Sequence, residues 1–135
     1  TSKGTLTQDP SAIQEQIRIF NASEFARLLE MEILEASDGY SLVTMNCVGK
    51  RNPGGVAHGG AIFSLADQAF GIAANCCGNH RVAVSVSIQY IAPAKGKLIA
   101  VARRVADNGT CDTYRILVHE GERLVAEFSG VAFHV

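Results

Sequence analysis

Apolar residues recur along this chain at two spacings, and each spacing predicts a different kind of element. Near the start, Ile13, Ile17 and Phe20 fall three or four apart, which predicts a short helix beginning at Pro10 or Ser11 and broken at Asn21. A second short helix begins at Ser23, with Phe25, Leu28 and Leu29 on one side, as in a lid or packing arm. Residues 1–9 ahead of them read as a flexible tail. Met31 to Ala36 and Tyr40 to Val48 read as strands joined at Asp38-Gly39, a dipeptide suited to the positive φ of a tight hairpin turn.

From about Gly60 to Cys76 the helical spacing returns and is far more apolar. Ile62, Leu65, Ala66, Ala69, Ala73 and Cys76 form one stripe, and Phe63, Phe70 and Ala74 carry the apolar surface round the other side. Such a helix is expected to be buried on most of its circumference, with Gly78 suited to a left-handed cap beyond it. The spacing then falls to two. Val82, Val84, Val86, Ile88 and Tyr90 alternate with Ala83, Ser85, Ser87, Gln89 and Ile91. Turns at Lys95-Gly96-Lys97, Asn108-Gly109 and Glu120-Gly121-Glu122 lead into strands over Leu98 to Ala106, Thr110 to His119 and Arg123 to His134. Four strands in succession predict an antiparallel meander. The expected class is α+β, with about six strands curled round one long helix or with a second copy of the chain covering what the sheet leaves open.

Composition narrows the function. The 135 residues, 47% hydrophobic and 19% charged, suit one domain over residues 1–135 with a sizeable core. A net charge of −1 and a pI near 6.4 supply no basic field for nucleic acid or an anionic membrane. The start of the chain lacks the apolar run of a signal peptide, so a cytoplasmic location is expected. Cys47, Cys76, Cys77 and Cys111 lack metal-ligand spacing and read as free thiols, with no metal expected.

The candidate chemistry lies between residues 52 and 80, where Asp67 is the only charged side chain. A carboxylate in so apolar a segment is expected in or beside an interior, where desolvation raises its pKa. The run His58-Gly59-Gly60-Ala-Ile-Phe-Ser-Leu-Ala-Asp67 follows Asn52-Pro53-Gly54-Gly55 and is followed by Tyr90-Ile-Ala-Pro93-Ala-Lys95-Gly96. This constellation resembles the PaaI-like branch of the hotdog-fold acyl-CoA thioesterases, from about Met31 to the end of the chain. The resemblance implies a long helix wrapped by an antiparallel sheet, dimers that commonly pair into tetramers, and hydrolysis of an acyl-CoA with no separate cofactor, coenzyme A being part of the substrate.

Physical chemistry assigns roles within that frame. Gly59 and Gly60 fall at a helix N-terminus, whose free N–H groups and positive dipole would stabilise the oxygen of a thioester carbonyl as charge develops on it. Asp67 lies eight residues beyond Gly59, roughly 12 Å along the axis at ~1.5 Å per residue. One helix cannot bring both groups to one carbonyl, so Asp67 is expected from a partner subunit, as general base or nucleophile, across a two-fold axis. By resemblance Asn52 helps hold the water or the carboxylate, and Ser85 and Ser87 lie where the family often has a hydroxyl. His58 either meets the thioester or supports its loop. One of Lys95, Lys97, Arg103 and Arg104 is expected to meet the CoA phosphates, and Phe63, Phe70 or Tyr90 to line the acyl pocket. The rival readings are a hotdog dehydratase acting on hydroxyacyl thioesters through His58 and Asp67, and a non-catalytic acyl-CoA-binding module.

Overall fold

A computed structural model describes residues 9–135. The tail expected over residues 1–9 lies outside them except for Asp9, whose carboxylate accepts from the Ala12 N–H at 3.3 Å and caps helix α1 (Pro10–Asn21). Pro10 suits the first turn because its missing N–H would have had no partner there. Helix α2 (Glu24–Leu28) follows a Ser23 cap. Its packing differs from expectation: Ala26 is the buried residue, while Phe25 and Leu28 face outward. The helix ends with Glu30 at φ 56, where the Met31 N–H donates to the Ala26 carbonyl at 2.8 Å and the Glu30 N–H to that of Arg27 at 3.2 Å. That pair of bonds closes the turn as a left-handed cap does.

The strands are β1 (Glu32–Ser37), β2 (Tyr40–Asn46), β3 (Arg81–Tyr90), β4 (Lys97–Asp107), β5 (Cys111–Glu120) and β6 (Arg123–His134). They form one antiparallel sheet in the order β1-β2-β4-β5-β6-β3. Strands β4, β5 and β6 make the expected meander, but β3 does not pair with β4. It pairs with β6 at the far edge, and residues 91–96 carry the chain back across the sheet. Local alternation could not reveal this, because a hairpin and a crossover leave the same spacing in the strands they join. The crossover is fastened where it passes each strand end. Ile91 N–H donates to the Val125 carbonyl at 2.8 Å, and the Glu120 carboxylate accepts the Lys95 and Gly96 N–H groups at 3.0 and 2.7 Å.

The concave face of the sheet holds helix α3 (Gly59–Asn75). Ser41, Val43 and Met45 of β2 register against Ala102, Ala100 and Leu98 of β4, then Ile116 and Val118 of β5 and Phe128 of β6 extend the floor. Phe70 lies against Tyr114 and Phe128, with ring centroids 5.3 and 5.9 Å apart. It also explains Gly130, where a Cβ would approach the Phe70 ring to 2.7 Å. Ser41 is buried at no cost in lost hydrogen bonding, since its hydroxyl donates to the Ala69 carbonyl at 2.7 Å.

Two features of burial matter for the site. First, the sheet covers most of α3 but leaves one strip open within one protomer, the remainder that a second copy is expected to cover: Gly60 and Asp67 are exposed, and Ser64 and Gly71 half-buried. Spaced 60, 64, 67, 71, they form a stripe left open by the sheet. Second, a bulge between Ala83 and Ser85 breaks the even alternation of β3. Gly130 points at the helix, so its partner Val86, and with it Ile88 and Tyr90, shares the inner face. Val82 registers with Phe133 and falls on the outer face instead. Val82, Val84 and Val86 are all exposed on this unpaired edge.

Candidate active site

The loop before α3 is built to deliver His58 and the two glycines. Asn52 turns it: its N–H donates to the Val56 carbonyl at 2.7 Å, its carbonyl accepts from Gly55, and its side-chain oxygen accepts from Val56 at 3.3 Å. Ala57 N–H donates to the Ala94 carbonyl of the crossover, and His58 N–H to the Lys50 carbonyl, both at 2.8 Å. The helix mouth is therefore tied to the two segments beside it.

Accounting for the N–H groups at this mouth singles one out. His58 is the N-cap, and its Nδ1 accepts the Gly60 N–H at 2.8 Å. The His58 carbonyl accepts the N–H groups of Ala61 at 2.9 Å and Ile62 at 3.2 Å. Among the described residues the Gly59 N–H alone in this turn has no partner. It belongs to the peptide whose carbonyl accepts two bonds, and that polarisation strengthens it as a donor. Gly60, named beside it as substrate-binding, has its amide engaged by the histidine.

His58 thus caps the helix through Nδ1, while its Nε2 has no partner among the described residues. Accepting through Nδ1 leaves the proton of the neutral ring on Nε2, so neither nitrogen offers a free lone pair to a substrate. A dehydratase base on His58 would have to break the helix cap.

Asp67 stands two turns along the open stripe from the mouth and has no hydrogen-bond or ionic partner among the described residues. Ser64, one turn before it, does not engage it, since the Ser64 hydroxyl donates to the Gly60 carbonyl at 2.7 Å. Although Asp67 is exposed in the protomer, partial desolvation raises its pKa above the ordinary 3.8.

Comparison with known proteins bears on this geometry. Residues 54–127 match the family described as the thioesterase superfamily, more than half of the chain. The acyl-coenzyme A thioesterase PaaI of Escherichia coli is 31% identical over 114 residues, covering 82% of this chain and 81% of that protein. A protein of Archaeoglobus fulgidus with a provisional esterase name is 35% identical over 135 residues, covering 96% and 88%. The structure of the Escherichia coli PaaI protein superposes with a TM-score of 0.84 at 28% identity, covering 92% of this chain and 93% of that one. The chain belongs to the thioesterase superfamily, in its PaaI-like hotdog branch.

Other expected site residues of this PaaI-like chain are placed apart. Ser85 and Ser87 register with Val131 and Ser129, on the face turned away from α3, so the protomer brings neither to Asp67 or Gly59. Arg103 and Arg104 lie toward the far end of β4 from the Pro93 loop. Arg103 stacks on Tyr40 at 4.7 Å, and Arg104 is engaged by Asp38, Tyr114 and Asp112. Lys95 and Lys97 stay near the crossover. Sequence reasoning missed Lys50 and Arg51, which line a cleft beside the mouth with Phe25, Leu29, His58, Gly60, Ala61 and Ser64. A second, uncharged cleft on the other flank of Gly59 is lined by Ala57, Ile62, Tyr90, Ile91, Ala92 and Pro93. Of the proposed acyl-pocket aromatics, Phe70 is core, Phe63 is half-buried and Tyr90 is exposed.

Asp107, Asp112 and His134 in this PaaI-like chain bring ligand atoms within 4.8 Å of one another, a spacing that could hold a metal ion. Arg81 and Arg104 already balance the charge there, with Nε atoms 2.6 and 3.0 Å from Asp112. The group reads as a charged lock.

Proposed function

We propose that this protein hydrolyses acyl-CoA thioesters at sites shared between two copies of the chain. The free Gly59 N–H of one protomer receives the carbonyl oxygen, and Asp67 of the other acts as general base on water or as nucleophile. The observation that carries this reading is that the unpartnered amide and the unpartnered carboxylate lie about 12 Å apart on one open helix. Two copies of α3 packed antiparallel about an axis near Phe63 and Ser64, halfway between 59 and 67, would set each Asp67 opposite the other copy's Gly59. Small residues on the open stripe and the unpaired apolar edge of β3 supply surfaces for that pairing. The dimer is thus the catalytic unit; its doubling into a tetramer rests on the family resemblance.

The uncharged cleft suits an acyl group, and the cleft on the other flank, where Arg51 is exposed, suits the polyanionic end of CoA; Lys50 beside it is held by Glu30 at 3.7 Å and the Asn46 carbonyl at 3.0 Å. Asn52 has an amide nitrogen available to a water or to the carboxylate, its oxygen being engaged in the loop. Four free cysteines, and no helix among the described residues long and apolar enough to cross a membrane, agree with a cytoplasmic enzyme.

The test is thiol release from a panel of acyl-CoA esters, followed by subunit mixing. Asp67→Asn and Gly59→Pro should each be nearly inactive alone. A mixed dimer of the two holds one site with both lesions and one with neither, so it should recover about half the wild-type rate. No recovery in proven mixed dimers would place both groups in one subunit and end the proposal.

A further inference from the structure

We propose that Tyr90 is a positioning residue that holds the oxyanion donor in place from the end of the sheet's edge strand. The inference rests on Gly59 serving as that donor. The mouth of α3 begins with two consecutive glycines, the residues with the greatest backbone freedom, in a first turn that lacks most intrahelical bonds. A donor on so loose a segment would have to be ordered anew in each catalytic cycle unless something outside the helix restrained it.

The structure supplies that restraint on both sides of the Gly59 Cα. On its N-terminal side, the His58–Gly59 peptide is fixed by the bonds its carbonyl accepts from Ala61 and Ile62. On its C-terminal side, the Tyr90 hydroxyl donates to the Gly59 carbonyl at 3.0 Å and so sets the plane of the Gly59–Gly60 peptide. The phenol ring also closes on the Cα: a Cβ built on Gly59 would lie 3.3 Å from Cζ and 3.4 Å from the hydroxyl oxygen of Tyr90. A side chain at 59 would press on the tyrosine, which would have to give by a few tenths of an ångström, whereas the backbone itself does not call for glycine, since Gly59 lacks the positive φ seen at Gly55 or Gly78.

Tyr90 reaches this place through topology. It is the last residue of β3, directly before the crossover whose Ala94 carbonyl binds the Ala57 N–H. The edge strand that would pair with a second copy therefore ends in the side chain that steadies the amide. Dimer formation and alignment of the donor are linked through one strand.

Tyr90→Phe keeps the ring and removes only the hydroxyl. A neutral hydrogen bond contributes about 1 kcal/mol, so kcat should fall about five-fold, with KM changed less than two-fold and the melting temperature lowered by no more than a few degrees. Independently of turnover, amide exchange followed by NMR should quicken at Gly60 and Ala61 but not at Ala69 in mid-helix. Unchanged kcat, or a change confined to KM, would overturn the proposal, as would unchanged exchange at Gly60. A wild-type protein that released no thiol from any thioester would instead defeat the hydrolase reading, leaving the exchange experiment to judge the restraint alone.

Discussion

At the N-terminal end of α3 an amide, and two turns on a carboxylate, have no partner among the described residues; beyond its C-terminal end one carboxylate has four. Asp112 is fully buried on the inner face of β5 and is met by Arg81, Arg104, Tyr114 and His134. Arg81 also donates to the Ala74 carbonyl at 3.2 Å, placing a cation at the negative pole of the helix. Desolvation pushes the Asp112 pKa up, but hydrogen bonds from His134 and Tyr114 and the charge of Arg81 outweigh it, and the net shift is downward. Asp67 has the desolvation without the compensation, and its shift is upward. The same side chain is held charged as a lock at one place and left with a basic, unengaged carboxylate at the other. Completeness of partners thus sets the direction of each shift, and the carboxylate without partners is the one proposed for the chemistry.

Breaking each side separately should show the difference. The largest effect is expected for Asp67→Asn, with kcat reduced about 10²–10⁴-fold and folding intact, checked by thiol release and thermal melting. Stability should be unchanged or slightly raised, because a desolvated charge has been removed.

Gly59→Pro should follow, at about 10²–10³-fold. Proline deletes the candidate donor without disturbing the helix start, since position 59 is the first helical residue and His58, at φ −62 and ψ 135, already has the conformation a residue before proline adopts, but its ring also crowds Tyr90. Gly59→Ala, which crowds Tyr90 equally but keeps the N–H, should retain much more activity; equal losses in the two variants would show that crowding, and not the amide, is responsible.

Asp112→Ala should invert the pattern, costing about 3–5 kcal/mol of stability by stranding two guanidinium groups, while the activity of the molecules that stay folded is preserved. Tyr114→Phe removes one member of the lock and should cost about 1–3 kcal/mol, read from denaturant unfolding.

The mildest probe is pH. A carboxylate whose folded pKa is lowered contributes stability that is fully present above its ordinary value of 3.8 and is lost as pH falls through the folded value. Asp112 should therefore steepen acid unfolding below about pH 4, and Asp112→Asn should flatten that slope. Asp67 must be ionised to act, so the acid limb of kcat/KM should lie above the ordinary carboxylate range. An acid limb at or below that range would remove the contrast between the two groups.

Much of this was legible in the residues. The spacing of apolar positions located every described helix and strand to within a few residues, because side-chain direction repeats locally at 3.6 or two residues whatever the distant chain does. The bare helix mouth at Gly59 and the isolated charge of Asp67, on which the proposed chemistry rests, were also visible along the chain. The lock was readable too, and was missed: Asp112 falls in phase with Tyr114, Ile116 and Val118, a carboxylate on a core-facing row.

The sequence by itself determined the elements, the glycine-rich mouth and the solitary carboxylate, since each is a property of neighbours along the chain. Only the tertiary structure decided that β3 crosses to the far edge, that a bulge turns Val82 away from the helix while Ser85 and Ser87 face outward, that His58 occupies the Gly60 amide, and that Tyr90 reaches Gly59. Apart from the local His58–Gly60 cap, those outcomes depend on which strand ends meet and which hydrogen bonds are completed across distant parts of the chain, as between Tyr90 and Gly59, 31 residues apart. No local periodicity carries that information.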